Sequence, residues 1–191
     1  MTGFSIIGCS RESVPNKNSQ TPSVTQSNSE EEKIRIIKNI EEAGPGPLTK
    51  ENVSIAGIYI GDSQEQVLKL YGKPTEKKIL ESTPNPMWVY KELGLSVIFV
   101  PDKGVVYNVS ISSPSNLRTN TGIGMGDSIE DIVRNYDQVY GFKPDEKTNT
   151  QVIFVTGVND WGTKSILCYP SLTIRLENKQ IDYISLYSPS P

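Results

Sequence analysis

One stretch of this chain occurs twice. Gly57-Ile58-Tyr59-Ile60-Gly61-Asp62-Ser63-Gln64-Glu65-Gln66-Val67-Leu68-Lys69-Leu70-Tyr71 returns 65 residues on as Gly122-Ile123-Gly124-Met125-Gly126-Asp127-Ser128-Ile129-Glu130-Asp131-Ile132-Val133-Arg134-Asn135-Tyr136, with seven of fifteen positions identical. A recurrence of this kind restricts the fold to arrangements in which one local structure is used twice. Asp62 and Asp127 stand where a helix N-cap is wanted. Glu65 and Glu130 follow three residues later, as in a capping box. Ile129, Ile132, Val133 and Tyr136 then fall at helical spacing. Gly61 and Gly126 are expected in positive-φ turns ahead of the caps. Tyr71-Gly72-Lys73-Pro74 ends the first helix, and Tyr140-Gly141-Phe142-Lys143-Pro144 predicts a second helix one turn longer.

Strand patterns follow each helix. In the first copy they are 76–82, 87–91, 95–100 and 105–112, separated by Thr83-Pro84-Asn85-Pro86 and Pro101-Asp102-Lys103-Gly104. In the second they are 151–156, 163–169, 172–176 and 181–187. The last strands also align, Val109-Ser110-Ile111-Ser112-Ser113-Pro114 with Ile184-Ser185-Leu186-Tyr187-Ser188-Pro189. The expected fold is therefore α+β: two tandem copies of a helix plus a four-stranded antiparallel meander, over 48–115 and 116–191.

The residues before them form three zones. Ile6-Ile7-Gly8-Cys9 fits a lipobox, so 1–9 reads as the remnant of a signal sequence, with Cys9 as the lipid attachment site. Residues 10–29 are rich in Ser, Asn, Thr, Gln and Pro and read as a disordered tether. Over 30–47 a short amphipathic helix is predicted, with a stripe of Ile36, Ile37 and Ile40, followed by the linker Gly44-Pro45-Gly46-Pro47.

The pattern Gly61, Asp62, Val67, Tyr71, Gly72, Pro74, Trp88, Tyr90, Phe99 and Val105 resembles the β-lactamase-inhibitor-protein-like superfamily. That group includes tandem-repeat inhibitor proteins, the small lipoprotein of the outer-membrane barrel-assembly machinery and Gram-positive lipoproteins. The resemblance spans roughly 53–189, and its motifs, mostly structural, imply a tandem-repeat fold rather than a role. Two features depart from the inhibitors. The chain has only Cys9 and Cys168, so it cannot staple each repeat, and one helix rather than a hairpin opens each copy.

Composition narrows the chemistry. The chain has no histidine, which removes Ser-His-Asp and Cys-His systems and His-ligated metals. A net charge of −3 without a basic run argues against nucleic acid. No apolar run reaches the ~20 residues of a membrane span. No catalytic residue, metal ligand or cofactor is expected. The glycine-rich 122–126 stretch lacks the Lys-Ser/Thr of a phosphate-binding loop and reads as a turn.

Binding is instead expected on a sheet face. If Leu172, Ile174 and Leu176 point inward, Thr173, Arg175 and Glu177 point outward. The same parity turns Tyr183 and Tyr187 outward, and in the first copy Ile98, Val100, Val106 and Asn108. Tyr183, Tyr187, Arg175 and Ile98 are the candidate partner-binding residues. The expected role is a non-enzymatic, lipid-anchored envelope protein on the outer face of the bacterial membrane, binding an envelope or secreted protein. The alternatives are a carboxylate-dependent envelope hydrolase and an inhibitor of a secreted enzyme.

Overall fold

The computed structural model describes residues 33–80, 83–158 and 170–188. Its strands are β1 (Ile34–Ile36), β2 (Glu76–Ile79), β3 (Pro86–Tyr90), β4 (Leu95–Phe99), β5 (Val106–Ser112), β6 (Val139–Gly141), β7 (Thr150–Thr156), β8 (Ser171–Glu177) and β9 (Gln180–Tyr187). Two helices, α1 (Gln64–Tyr71) and α2 (Ile129–Asn135), complete the regular structure. All nine strands form one sheet in the order β1-β6-β7-β8-β9-β5-β4-β3-β2.

This corrects the expectation of two tandem helix-plus-meander copies. A separate meander would end on β5 or β9 as an open edge. Here those two strands pair antiparallel through five residue pairs, from Asn108↔Tyr187 to Ser112↔Tyr183. The pairing satisfies both rows of edge donors and acceptors and joins the two stretches into one sheet. The sheet is also mixed, because β1 runs parallel to β6. The predicted disulfide-free inhibitor-like repeat architecture falls with the same observation.

The sequence recurrence surfaces at the seam. Positions 110 and 185 are equivalent in the alignment of the last strands, and Ser110 pairs with Ser185. A local twofold axis thus passes between β5 and β9. The turns preceding the helices match in the same way: Gly61 N–H donates to Val106 O and Val106 N–H to Asp62 O, while Gly126 N–H donates to Ile181 O and Ile181 N–H to Asp127 O, each at 2.8 Å. Gly61 and Gly126 have φ of 93° and 82°, the positive values expected of them.

The caps lie one residue beyond the expected aspartates. Ser63 is the N-cap of α1; its Oγ accepts from Gln66 N–H at 3.2 Å and its N–H donates to Gln66 Oε1 at 2.7 Å. Ser128 caps α2, with its N–H and hydroxyl both 3.0 Å from Asp131 Oδ2. Asp62 and Asp127 instead close the preceding turns, accepting from Tyr59 N–H at 2.8 Å and Gly124 N–H at 2.9 Å. A carboxylate one bond longer than a hydroxyl reaches back across the turn and leaves the cap to serine.

One core lies between the sheet and a layer made of α1, α2 and the segments 53–60 and 117–127. Val67, Ile132, Ile55, Ile58 and Ile123 pack there against Val97, Phe99, Val109, Ile111, Leu172, Ile174, Ile184 and Leu186. Trp88 and Tyr90 are in the same core, 3% and 4% exposed, Trp88 edge-on to Phe99 with centroids 4.7 Å apart. At burial of this kind each large aliphatic side chain contributes roughly 1.5–3 kcal/mol.

Two further expectations are corrected. The segment read as a helix over 30–43 contains β1 and, after it, only a 3-10 turn at Ile40–Glu42 capped by Asn39. Its run of β-branched residues favours an extended chain. The stripe of isoleucines divides: Ile36 is exposed, whereas Ile37 and Ile40 pack with Ala43, Tyr140 and Phe154 on the sheet face away from the helices. The second helix is not longer than the first. It stops at Asn135, and Tyr140-Gly141 belongs to β6. A Cβ at Gly141 would lie 2.9 Å from Ile153 Cδ1 and 3.0 Å from Ile34 Cγ2, so glycine there admits β1. Cys9, Cys168 and the expected strand 163–169 lie outside the described residues.

Candidate functional site

The sheet has one face under the helices and one facing away. Among the described residues, the second face is covered only at its β6–β7 end, by the cluster around Ile37, Ala43, Tyr140 and Phe154. From β8 to β3 no described segment covers it, and the register places its outward side chains in rungs.

The middle rung is made of small hydroxyl residues. Thr173 pairs with Ser185, Ser185 with Ser110, and Ser110 with Ser96, across β8, β9, β5 and β4. At the ~4.8 Å spacing of neighbouring strands this is a floor about 14 Å long. Taller side chains stand on both sides of it. One wall is Tyr187, Asn108, Ile98 and Met87, in successive cross-strand pairs. The other is Arg175 and Tyr183, also a pair. The result is a groove running across the strands. Ser110 and Ser185 at its floor are only 9% and 7% exposed because the walls shield them.

The walls are ordered by their own contacts. Arg175 Nε lies 3.0 Å from both carboxylate oxygens of Asp182, and its Nη2 lies 2.5 Å from Asp182 Oδ2. Its guanidinium also sits 5.5 Å from the Tyr183 ring centroid. The Asp182 carboxylate raises the Arg175 pKa further, so this cation is fixed at all physiological pH. On the other wall Asn108 Nδ2 donates to Ser185 Oγ at 2.9 Å, and Tyr187 meets Tyr107 edge-on at 5.9 Å. An aromatic–arginine pair held by a carboxylate offers stacking and directional donors at little entropic cost, since its geometry is already set.

All four residues singled out from sequence face this side. Arg175 is exposed; Tyr183, Tyr187 and Ile98 are half-buried. Val106, expected beside them, is instead fully buried. A bulge between Ile98 and Phe99 shifts the register and turns Val106 into the core. Sequence reasoning missed Asp182, the serine floor and Met87. The floor had a signal in the alternation Asn108, Ser110, Ser112, but its partner row was visible only once β5 was known to pair with β9.

The glycine-rich 122–126 stretch is a turn, as read. Ile123 is buried, and Arg118 spans the turn to hold Asp127 at 2.7 Å and the Gly122 carbonyl. Among the described residues no helix is long and apolar enough to cross a membrane.

No protein-family model matches the chain, and no curated protein matches it. A 1.5 Å crystal structure of an extracellular protein containing a SCP domain, from Bacillus anthracis str. Ames, superposes with a TM-score of 0.43 at 12% identity. The superposition covers 68% of this chain and 44% of that one, so the chain spans less than half the length of that protein. A likeness of this degree carries no argument about role.

Proposed function

We propose that this chain is a non-enzymatic binding module of the bacterial cell envelope, anchored through Cys9, that takes a protein partner in the transverse groove of its open sheet face. The observation that carries the reading is the groove itself: a hydroxyl floor between an ordered Arg175–Asp182–Tyr183 cluster and a wall of Tyr187, Asn108, Ile98 and Met87. Tyrosine and arginine are enriched among the hot spots of protein interfaces, and an open sheet offers area without an enclosed pocket. Anchoring rests on the lipobox at Ile6–Cys9 and on the polar tether that follows.

The test places a photo-crosslinking amino acid at position 183 in cells, with position 69 on the solvent side of α1 as control. A protein adduct at 183 that disappears with Arg175→Ala, and no adduct at 69, supports the groove. Equal labelling at both positions, or none at 183, rejects it. Anchoring is tested separately, by palmitate incorporation that Cys9→Ala abolishes.

A further inference from the structure

A second feature lies at the far end of the sheet. β1 is its terminal strand and, among the described residues, pairs with β6 alone. Ile37 N–H donates to Gly141 O at 2.9 Å, so Ile37 and, by alternation, Arg35 address β6. The N–H and C=O groups of Ile34 and Ile36 then address the open side. Beside that edge, on the helix-covered side, is a cavity of about 370 Å³ whose apolar wall is Ile34, Ile36, Ile129, Pro144 and Leu176, with Glu130 and Lys179 among its polar lining. Ile36 is 53% exposed, although its side chain forms part of this apolar wall.

An unpaired strand edge next to an apolar cavity recognises an extended peptide. The edge supplies main-chain hydrogen bonds, and the cavity selects alternate side chains. A strand added beside β1 sets its inward residues about 5 Å from Ile34 and Ile36, over the cavity. Its intervening residue falls on the other face opposite Arg35. That guanidinium is exposed and lies 5.8 Å from the Tyr140 ring centroid. An acidic side chain at that position completes an ion pair. The chain's own N-terminal stretch is a poor occupant, because between Ser10 and Lys33 its aliphatic side chains are only Val14 and Val24. The opposite end of the sheet lacks this chemistry: Glu76 on β2 pairs with Lys78 of the same strand and with Lys91, which follows β3, and Lys77 lies over the Trp88 ring. Lysines there guard the edge.

We infer that the open edge of β1 is a peptide-binding site that adds an extended segment of apolar–acidic–apolar alternation from another protein, with the apolar side chains in the adjoining cavity. This site is separate from the groove and does not depend on it.

The probe is a short fluorescein-labelled peptide with the core Leu-Glu-Leu between threonines, titrated by anisotropy into the full chain. Saturable binding is expected, weakened at least about tenfold by Ile36→Glu, an exposed position where the substitution leaves the thermal midpoint in place. Arg35→Glu is expected to weaken the Leu-Glu-Leu peptide and to favour a Leu-Lys-Leu counterpart. Methylation of the peptide backbone nitrogens is expected to abolish binding, and Tyr187→Ala to leave it unchanged. Absence of saturable binding up to about 1 mM peptide overturns the inference. So does an affinity that ignores both Ile36→Glu and the charge exchange at Arg35.

Discussion

The single sheet makes a demand on unfolding that can be measured. Ile132, on α2, is fully buried in a core that it shares with residues from β3 and β4, on the far side of the β5–β9 seam, Trp88 and Phe99 among them. Ile132→Val removes one methylene and leaves a small void, which costs about 1 kcal/mol. With a urea dependence of about 2 kcal/mol per molar for a domain of this size, the midpoint falls by about 0.5 M. The assay follows two signals. Far-UV circular dichroism reports all strands, and Trp88 fluorescence, in a Trp161→Phe background, reports the β2–β5 side of the sheet. If β5 and β9 hold the strands in one cooperative unit, both signals move by the same amount although the mutation lies on the other side of the seam. A Trp88 transition that stays in place while the dichroism splits in two would refute the continuous core as the unit of stability.

Three shorter tests address local features. Ser63→Ala costs about 1 kcal/mol in chemical denaturation, whereas Ser63→Gly costs a few tenths, if serine rather than Asp62 caps α1. Gly141→Ala costs about 1–3 kcal/mol through the crowded Ile153 and Ile34 contacts, and adding Ile34→Ala gives less than the sum of the two losses in a double-mutant cycle. The Asp131 carboxyl is held below the usual carboxylate range by hydrogen bonds from the Ser128 N–H and hydroxyl. Its stabilisation is therefore present at neutral pH and lost as pH falls below about 4 through its folded-state value, so Asp131→Asn flattens the acid limb of a midpoint-against-pH curve.

What could be read from sequence was what is local. Leu95-Ser96-Val97-Ile98-Phe99 and Leu172-Thr173-Ile174-Arg175-Leu176 alternate with period two, and both are strands with their expected faces inward. Trp88 and Tyr90, two apart on β3, share the core face. β1 and β6 were illegible for a common reason. Each has three residues, too few for a period, and β1 pairs with a strand about a hundred positions along the chain. Tyr140 satisfied a helical spacing equally well. The Asp-Ser pair before each helix is ambiguous in another way: both side chains can cap, and the turn geometry that sends aspartate backward and serine forward is set by the Gly61 and Gly126 bonds to distant strands. Val106 was misplaced by a bulge, which leaves the alternation on either side intact and shifts only the phase.

The pairing of β5 with β9 is the deepest of these cases, and it connects the fold to the site. A strand with Val109 and Ile111 inward and Asn108, Ser110 and Ser112 outward looks the same whether it lies at an edge or at the centre of a sheet. An edge strand is usually protected by charge or proline, and neither β5 nor β9 carries a lysine on its outward row. The middle outward pair at the seam is serine on serine, Ser110 with Ser185, small enough to leave no ridge at that rung. The same smallness makes the floor of the groove, while the flanking rungs carry Tyr183 and Tyr187. Neither stretch alone contains the groove: one supplies Asn108, Ser110 and Ile98, the other Arg175, Tyr183, Ser185 and Tyr187. The surface proposed to bind a partner is thus made by the contact that the sequence pattern left open, and any substitution that separates β5 from β9 removes the site together with the fold.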